Sequence, residues 1–315
     1  MPAAGSPNSG QLPFWQAEDM TTASAEEFET HRPRLFGLAY RMLGSAEEAE
    51  DTVQDAYLRF SDIDRDRIEH PAAWLAKVVT NLCLTRLTSA RARREQYVGP
   101  WLPEPVITSD GTLGPLESAE QRDAVSLAML VLLERLTPTE RAVYVLREAF
   151  AYGHREIAEA LELTEANCRQ LYRRAVRRVE EREARFESTP ERQEELVRSF
   201  LMAARDGDLG GLEKLLAADV VWFSDGGGKV RAALRPIEGR EKVFRFLAGA
   251  SRTFLTGVDF TVVESNGSTA VAAWAGDELL SVVAFELRDG LITQAWAVVN
   301  PEKLAFVRRQ LARVA

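Results

Sequence analysis

Around Pro190 the hydrophobic pattern of this chain changes its period, so its two halves need different kinds of secondary structure. Before that point apolar residues recur every three or four positions. After it come two amphipathic helical stretches, at about 191–206 and 209–217, and then segments that alternate as strands. These segments are Val220–Phe223, Phe254–Val263, Thr269–Ala275, Leu280–Arg288 and Leu291–Val299. Asp225-Gly226-Gly227-Gly228 and Arg288-Asp289-Gly290 are hairpin-type turn signals. Helices first and meandering strands later predict an α+β domain with an antiparallel sheet over 190–315, closed by a helix from Pro301 to Val314.

The earlier half reads as two all-α helical domains. In the first, at 26–97, Phe28, Leu35, Leu38, Ala39 and Met42 recur at helical spacing until Gly44 ends the helix. Ser45, with Glu48 three residues on, opens a second helix through Val53, Ala56, Tyr57 and Phe60. A charged loop at 61–70 precedes Pro71, which suits the first turn of a third helix carrying Trp74, Leu75, Val78, Val79, Leu82 and Leu84. Residues 98–116 read as a linker, because the prolines of Val98-Gly99-Pro100-Trp101-Leu102-Pro103-Glu104-Pro105 force extended backbone. Trp101 and Leu102 are out of place in a free linker and are expected to dock on a neighbouring domain. The second helical domain spans 117–186. In it a short helix from His154 to Leu161, a tight turn and an N-cap at Thr164 form a helix-turn-helix pattern. Residues 1–25, rich in Pro, Gly, Ser and Ala, are expected to be disordered, and Met20 is an alternative start.

Several function classes are excluded at this level. A chain of 315 residues that is 46% hydrophobic has enough apolar material for several cores. No apolar run is long enough to span a membrane, and Met1 to Met20 lacks the pattern of a secretory signal. Cys83 and Cys168 lie far apart, and His31, His70 and His154 are scattered, so no metal and no cofactor is expected and a reducing cytoplasm is. The net charge of −9 argues against nucleic acid until its distribution is considered. Residues 18–70 carry a surplus of roughly eight acids, whereas Arg86, Arg91, Arg93 and Arg94, and then Arg169, Arg173, Arg174, Arg177 and Arg178, are locally basic. That distribution suits a protein that binds both a basic protein partner and DNA.

The helix after the tight turn would present Ala166, Asn167, Arg169, Gln170, Arg173 and Arg174 outward, with Cys168, Leu171 and Ala175 packed inside. Such side chains near a helix N-terminus read base edges and hold phosphates. An arginine run alone would equally be a solvated face; the turn pattern in front of it favours DNA. Glu47, Asp51 and Asp55, at i, i+4 and i+8, share a face with Glu50 and Gln54 beside them. With no histidine spaced to match, the choice lies between a solvated face and a docking face. Trp74, Lys77, Thr80, Asn81 and Arg86 mix aromatic, polar and basic groups as capture of single-stranded bases requires, although Trp74 by itself reads as core. In the tail, Trp222, Phe244, Phe246, Trp274 and Trp296 would be core or would line a pocket for an unidentified small ligand. The tail has no histidine, and its acids fall mostly at helix ends and turns, so catalysis is not expected.

Two runs bring these pieces together. Leu35-Phe36-Gly37-Leu38-Ala39-Tyr40-Arg41-Met42-Leu43-Gly44, followed by Ala49-Glu50-Asp51-Thr52-Val53-Gln54-Asp55-Ala56-Tyr57-Leu58-Arg59, resembles region 2 of extracytoplasmic-function (ECF) sigma factors. Pro71-Ala72-Ala73-Trp74-Leu75 with Asn81 continues the likeness, and 132–178 resembles their region 4. The resemblance implies a sigma factor that binds the clamp helices and flap of core RNA polymerase and directs it to promoter DNA. Asp51, Gln54 and Asp55 would dock on the polymerase clamp. The loop 61–70 with Lys77, Thr80, Asn81, Arg86 and Arg91 would melt and read the minus-ten element, and helix 165–178 would read the minus-35 element. Thr85 and Thr88 depart from the family pattern, which often has Asp and then a basic residue there. Residues 190–315 are similar to a SnoaL-type domain of the NTF2-like cone fold. Trp101-Leu102-Pro103-Glu104-Pro105, Asp225-Gly226-Gly227-Gly228-Lys229 and Asn300-Pro301-Glu302-Lys303-Leu304 resemble signatures of the subgroup that carries it fused. Regulatory roles are thereby implied for Trp101, Pro103, Asp225, Gly227, Lys229, Asn300, Pro301 and Lys303. Control would act in cis, with no separate anti-sigma factor. The alternative is a one-component helix-turn-helix regulator with a ligand-binding tail, which would leave 26–97 without a purpose.

Overall fold

The computed structural model describes the chain except residues 1–13, 65–67, 114–121, 123, 181–189, 207, 255–256 and 315. It has the expected fold class: two helical domains, then an α+β domain. In the first, α1 (Phe14–Leu43), α2 (Ala46–Asp62) and α3 (Pro71–Glu95) pack around Phe28, Leu38, Met42, Val53, Phe60, Leu75 and Val79. Helix α1 begins at Phe14, not near Glu26, which corrects the expectation of disorder up to residue 25; residues 1–13 lie outside the described residues. From Phe14 to Arg32 the sequence has no Gly or Pro, so nothing in it stops a helix. Helix α2 likewise runs to Asp62, into the expected loop. Gly44, at φ +67°, ends α1, and Ser45 caps α2 by accepting from the Glu48 amide at 3.1 Å.

The second helical domain comprises α4 (Leu127–Leu133), α5 (Pro138–Glu148), α6 (His154–Ala160) and α7 (Glu165–Glu180). Thr137 and Glu140 form a reciprocal capping box at the start of α5. One apolar cluster runs through both helical domains, from Phe28 and Leu75 to Val143, Ile157 and Val179.

The α+β domain contains α8 (Pro190–Asp206), α9 (Leu209–Leu215), β1 (Leu216–Asp225), β2 (Ile237–Glu238), α10 (Arg240–Phe254), β3 (Asp259–Ser265), β4 (Ser268–Ala275), β5 (Glu278–Arg288), β6 (Leu291–Val298) and α11 (Pro301–Val314). Phe254 ends a helix rather than starting a strand. The sheet order is β2-β1-β6-β5-β4-β3, and β1 runs parallel to β6, so the sheet is mixed rather than wholly antiparallel. The long connection through α10 and the β3–β5 meander gives β1 and β6 the room a parallel pair needs.

The two faces of the sheet have different partners. One packs on α8, α9 and α10 through Leu196, Val197, Phe200, Leu212 and Val243. The other, with Ala284, Trp296 and Val298, packs on Leu304 and Val307 of α11, Leu102 and Ile107 of the linker, and Leu127 and Ala128 of α4. Strand alternation therefore divides the tail aromatics. Trp222 and Phe246 lie on the first face, Trp274 and Trp296 on the second, so they do not line one common pocket.

Candidate nucleic-acid interface and the buried linker

Helix α6 ends at Ala160, Glu162 takes φ +56°, and Thr164 Oγ1 accepts from the Asn167 amide at 3.2 Å to start α7. Cys168, Ala175 and Val179 are buried, as are Ile157 and Ala158 of α6. Those contacts fix the rotation of α7, so Ala166, Asn167, Arg169, Gln170, Arg173 and Arg174 are all exposed. Glu165 pairs with Arg169, and Glu140 with Arg178. Burial, with Arg147 and Arg169 adding to it, holds the His154 imidazole below its usual range, which leaves the positive charge of this face to arginine.

In the first domain Asp51 and Gln54 are exposed on α2, and Asp55 is half-buried. Arg86 of α3 donates to Asp55 at 2.7 Å and lies 3.8 Å from Asp51, so the expected docking acids and an expected DNA contact form one ion-pair group. Asn81 is exposed and Lys77 half-buried. Thr80 does not share that face: it is fully buried, and its hydroxyl donates to the Ala76 carbonyl at 2.7 Å. It lies between Ala76 and Cys83 on the side of α3 turned to the core, which corrects its assignment to DNA. The Arg91 side chain lies outside the described residues. Trp74 packs on Phe60 with ring centroids 6.0 Å apart, as a core residue does.

The linker docks, and more deeply than the sequence suggests: Leu102 to Thr108 are buried. Glu104 completes the cap that Ser45 begins at the start of α2. Its carboxylate accepts from Ser45 Oγ at 2.8 Å and from the amides of Ala46 (2.8 Å) and Glu47 (3.2 Å). Burial raises its pKa, and those donors oppose the rise.

The residues carrying the regulatory signatures converge beside it. Asp225, fully buried, accepts from the Tyr97 hydroxyl (2.6 Å), the Leu102 amide (2.8 Å) and Lys303 Nζ (2.7 Å). It is thus neither in a turn nor solvated, contrary to the sequence reading. Lys303 Nζ also donates to the Leu102 carbonyl and lies 4.0 Å from the ring centroid of Trp101 and 4.8 Å from that of Tyr97. Burial pushes the Lys303 pKa down to about 8 against the pull of Asp225. Asn300 donates to the Tyr97 hydroxyl at 2.9 Å and accepts from the Glu302 amide, capping α11 where Pro301 begins it. Gly227, at φ +57°, passes so close that a Cβ there would stand 2.3 Å from Asn300 Nδ2. Lys229 pairs with Glu302 at the surface, 2.8 Å away. Pro103 is buried in the docked linker.

Sequence reasoning missed the other half of the junction. The β3–β4 turn carries Asn266, at φ +55° and fully buried. Its side chain accepts from the Val106 amide (3.2 Å) and donates to the Tyr40 hydroxyl (2.6 Å) and the Val125 carbonyl (3.0 Å), touching the linker and both helical domains. From α11, Gln310 accepts from the Ile107 amide at 2.9 Å and donates to its carbonyl at 3.1 Å. The Asn266-Gly267 pair marks a turn in the sequence, but nothing local says where that turn inserts.

Comparison with known proteins gives the family of the chain. The profile of Sigma-70 region 2 matches residues 28–93, and that of Sigma-70 region 4 matches 126–179. The ECF RNA polymerase sigma factor SigJ of Mycobacterium tuberculosis is 36% identical over 287 residues, covering 88% of this chain and 92% of SigJ. The chain belongs to the ECF RNA polymerase sigma factor family. The probable ECF sigma factor SigI of the same species is 31% identical over 90% of this chain and 96% of its own. The crystal structure of the M. tuberculosis factor SigJ superposes with a TM-score of 0.70 at 32% identity, covering 90% of this sigma factor and 98% of SigJ. Sigma factors are non-catalytic initiation subunits. Among the described residues of this one, no helix is long and apolar enough to cross a membrane, and no group of three or more His, Cys, Asp or Glu could hold a metal.

Proposed function

We propose that this sigma factor binds core RNA polymerase through the α2 face of Asp51, Gln54 and Asp55. In the same reading it takes promoter DNA with Lys77, Asn81, Arg86 and Arg91 at the minus-ten element and with the exposed face of α7 at the minus-35 element. Its activity is tuned in cis by the α+β domain, in place of a separate anti-sigma factor. One observation supports the control: the linker between the helical domains is buried between them and the sheet, held by Asp225, Asn266 and Gln310. The two elements lie roughly 25 base pairs apart, or about 85 Å of B-form duplex at ~3.4 Å per step. Here both helical domains share one apolar cluster, and Arg141 Nε of α5 donates to the Arg41 carbonyl of α1 at 2.9 Å. This arrangement is therefore the closed one, and release of the linker is what lets the domains spread.

Transcription with core polymerase tests the reading, comparing the full chain, the Asp225→Ala variant and a form ending near Pro190. Initiation by the shortened form shows that the helical part is sufficient, and a changed output from Asp225→Ala shows control by the linker. Failure of residues 20–186 to bind core enzyme would overturn the polymerase role. Equal output from all three forms would overturn the control.

A further inference from the structure

The last helix reaches out of its own domain. Leu304 and Val307 of α11 pack on the sheet, while Phe306, on another side of the helix, belongs to the apolar cluster of the helical domains. Its ring stacks on that of Phe36 in α1, with centroids 5.6 Å apart and planes 13° from parallel. Both residues are buried, so this contact fixes where the next turn of α11 lies. Arg309, three residues on, holds its guanidinium 5.5 Å from the Phe306 ring centroid and pairs with Glu47 of α2 at 3.0 Å. The seam is not tightly closed. A cleft of about 210 Å³ lies beside it, with Arg32, Phe36 and Glu50 on one side and Phe306, Arg309 and Gln310 on the other.

Glu47 is the first acid of the stripe that continues through Asp51 and Asp55, one and two turns along α2. Those two are paired with Arg86 of α3, a neighbour within the same domain. Arg309 thus brings a cation of the α+β domain onto the end of the stripe. The pair itself contributes little energy, since both side chains are about half exposed. Its importance is steric. Four residues of helix rise about 6 Å, and a helix with its side chains is about 10–12 Å across, so a helical partner seated on Asp51 reaches Glu47. Helix α11 already occupies that space, and it carries the sign of charge that a partner of these acids needs.

We propose that α11 and core RNA polymerase compete for the acidic face of α2, so that the closed form masks its own docking site. This rests on the docking role given above to Asp51 and Asp55. By linkage, whatever holds α11 down weakens polymerase binding, and bound polymerase favours the released linker by the same factor. Two effects of the closed form are thereby separated. Packing of the helical domains on each other limits the spread that a promoter demands, whereas α11 limits polymerase before any promoter is present.

Binding of the labelled full chain to core polymerase, without promoter DNA, tests this. Arg309→Ala should bind about two- to fivefold more tightly, the range of an exposed ion pair. Arg308→Ala, its exposed neighbour with the same change of charge, should match wild type. Glu47→Cys with Arg309→Cys allows α11 to be tethered to α2 by a bis-maleimide that contains a disulfide; the native Cys83 and Cys168 are buried. The tethered chain should bind at least about tenfold more weakly and recover when the tether is reduced. Equal binding before and after reduction, no gain in Arg309→Ala, or the same gain in Arg308→Ala would each overturn the proposal. Asp51→Ala with Asp55→Ala is measured alongside. Weakened binding there keeps the docking role even where the tether has no effect, and unchanged binding removes the docking role itself.

Discussion

Replacing Asp225 with alanine removes a buried carboxylate that joins the linker, β1 and α11. Three donors lose a carboxylate acceptor: the Tyr97 hydroxyl, the Leu102 amide and Lys303 Nζ, the last of which is only 8% exposed and keeps the Leu102 carbonyl. Removing one partner of a buried ion pair costs about 3–5 kcal/mol, because the other charge is left without compensation. Lys303 has an escape that favours the lower figure. Its pKa already lies at about 8 and falls further without Asp225, so the amine can discard its proton at little cost near neutral pH. At about 3 kcal/mol, opening of the linker becomes more than about a hundredfold more frequent. Hydrogen exchange reads this directly at the amides of Leu102, Glu104, Val106 and Ile107, which donate to Asp225, to the Gly44 carbonyl, to Asn266 and to Gln310. These four should exchange together and faster, while amides in the middle of α7 stay at wild-type rates. Linker amides that keep wild-type protection in Asp225→Ala would refute the assignment of this cluster as the lock.

Lys303 also predicts a pH dependence. Its folded pKa of about 8 lies below the ordinary lysine value, so the unfolded chain holds the proton over a range where the native protein has lost it, and stability rises with pH through that window. Between pH 7.5 and 9.5 the gain is about 2 kcal/mol in urea unfolding relative to Lys303→Met; a fall relative to that variant would contradict the shift. Asn266→Ala should destabilise the full chain by about 2–3 kcal/mol, since the Val106 amide and the Val125 carbonyl are left buried without partners, and a unit change in the urea midpoint is easily read. Arg173→Ala should weaken promoter affinity and lower the slope of log affinity against log salt by about 0.9; an unchanged slope removes Arg173 from the phosphate contacts. Asp51→Ala with Asp55→Ala should weaken binding to core polymerase while circular dichroism stays unchanged, and unchanged affinity would leave that face as mere solvated surface.

What the sequence shows of this protein follows the range of the forces involved. The outward face of α7 is legible because helical spacing alone separates Cys168 and Ala175 from Asn167, Gln170 and Arg173. The misplacement of Trp101 and Leu102 in a linker is also legible, since apolar surface left in water has to be covered. The identity of the covering surface is not, because the hydrophobic effect has no direction. Asp225 and Lys303 were found through family signatures, while their local pattern suggested a solvated turn and an ordinary first helical turn. Asn266, Glu104, Gln310 and Tyr97 act across separations of about sixty to more than two hundred residues, and no periodicity reports such pairings. Thr80 was misjudged for a related reason. Its position on α3 is compatible with either side of the helix edge, and a threonine that bonds its own backbone at Ala76 can be buried without another partner.

The linker's prolines carry a consequence for control. A segment with Pro100, Pro103 and Pro105 cannot join a continuous ladder, so its remaining polar groups must be satisfied one at a time. They are satisfied by different parts of the protein: Leu102 by β1, Glu104 by the end of α1, Val106 by the β3–β4 turn, Ile107 by α11 and Thr108 by the Glu264 carbonyl. Moving any one of these bodies alone would leave buried donors without acceptors, at about 1–3 kcal/mol each. Moving all of them together exposes every donor to water at once and avoids that penalty. The closed state should therefore open in a single cooperative step, and a signal acting on α11, on the hairpin or on either helical domain would release the same linker.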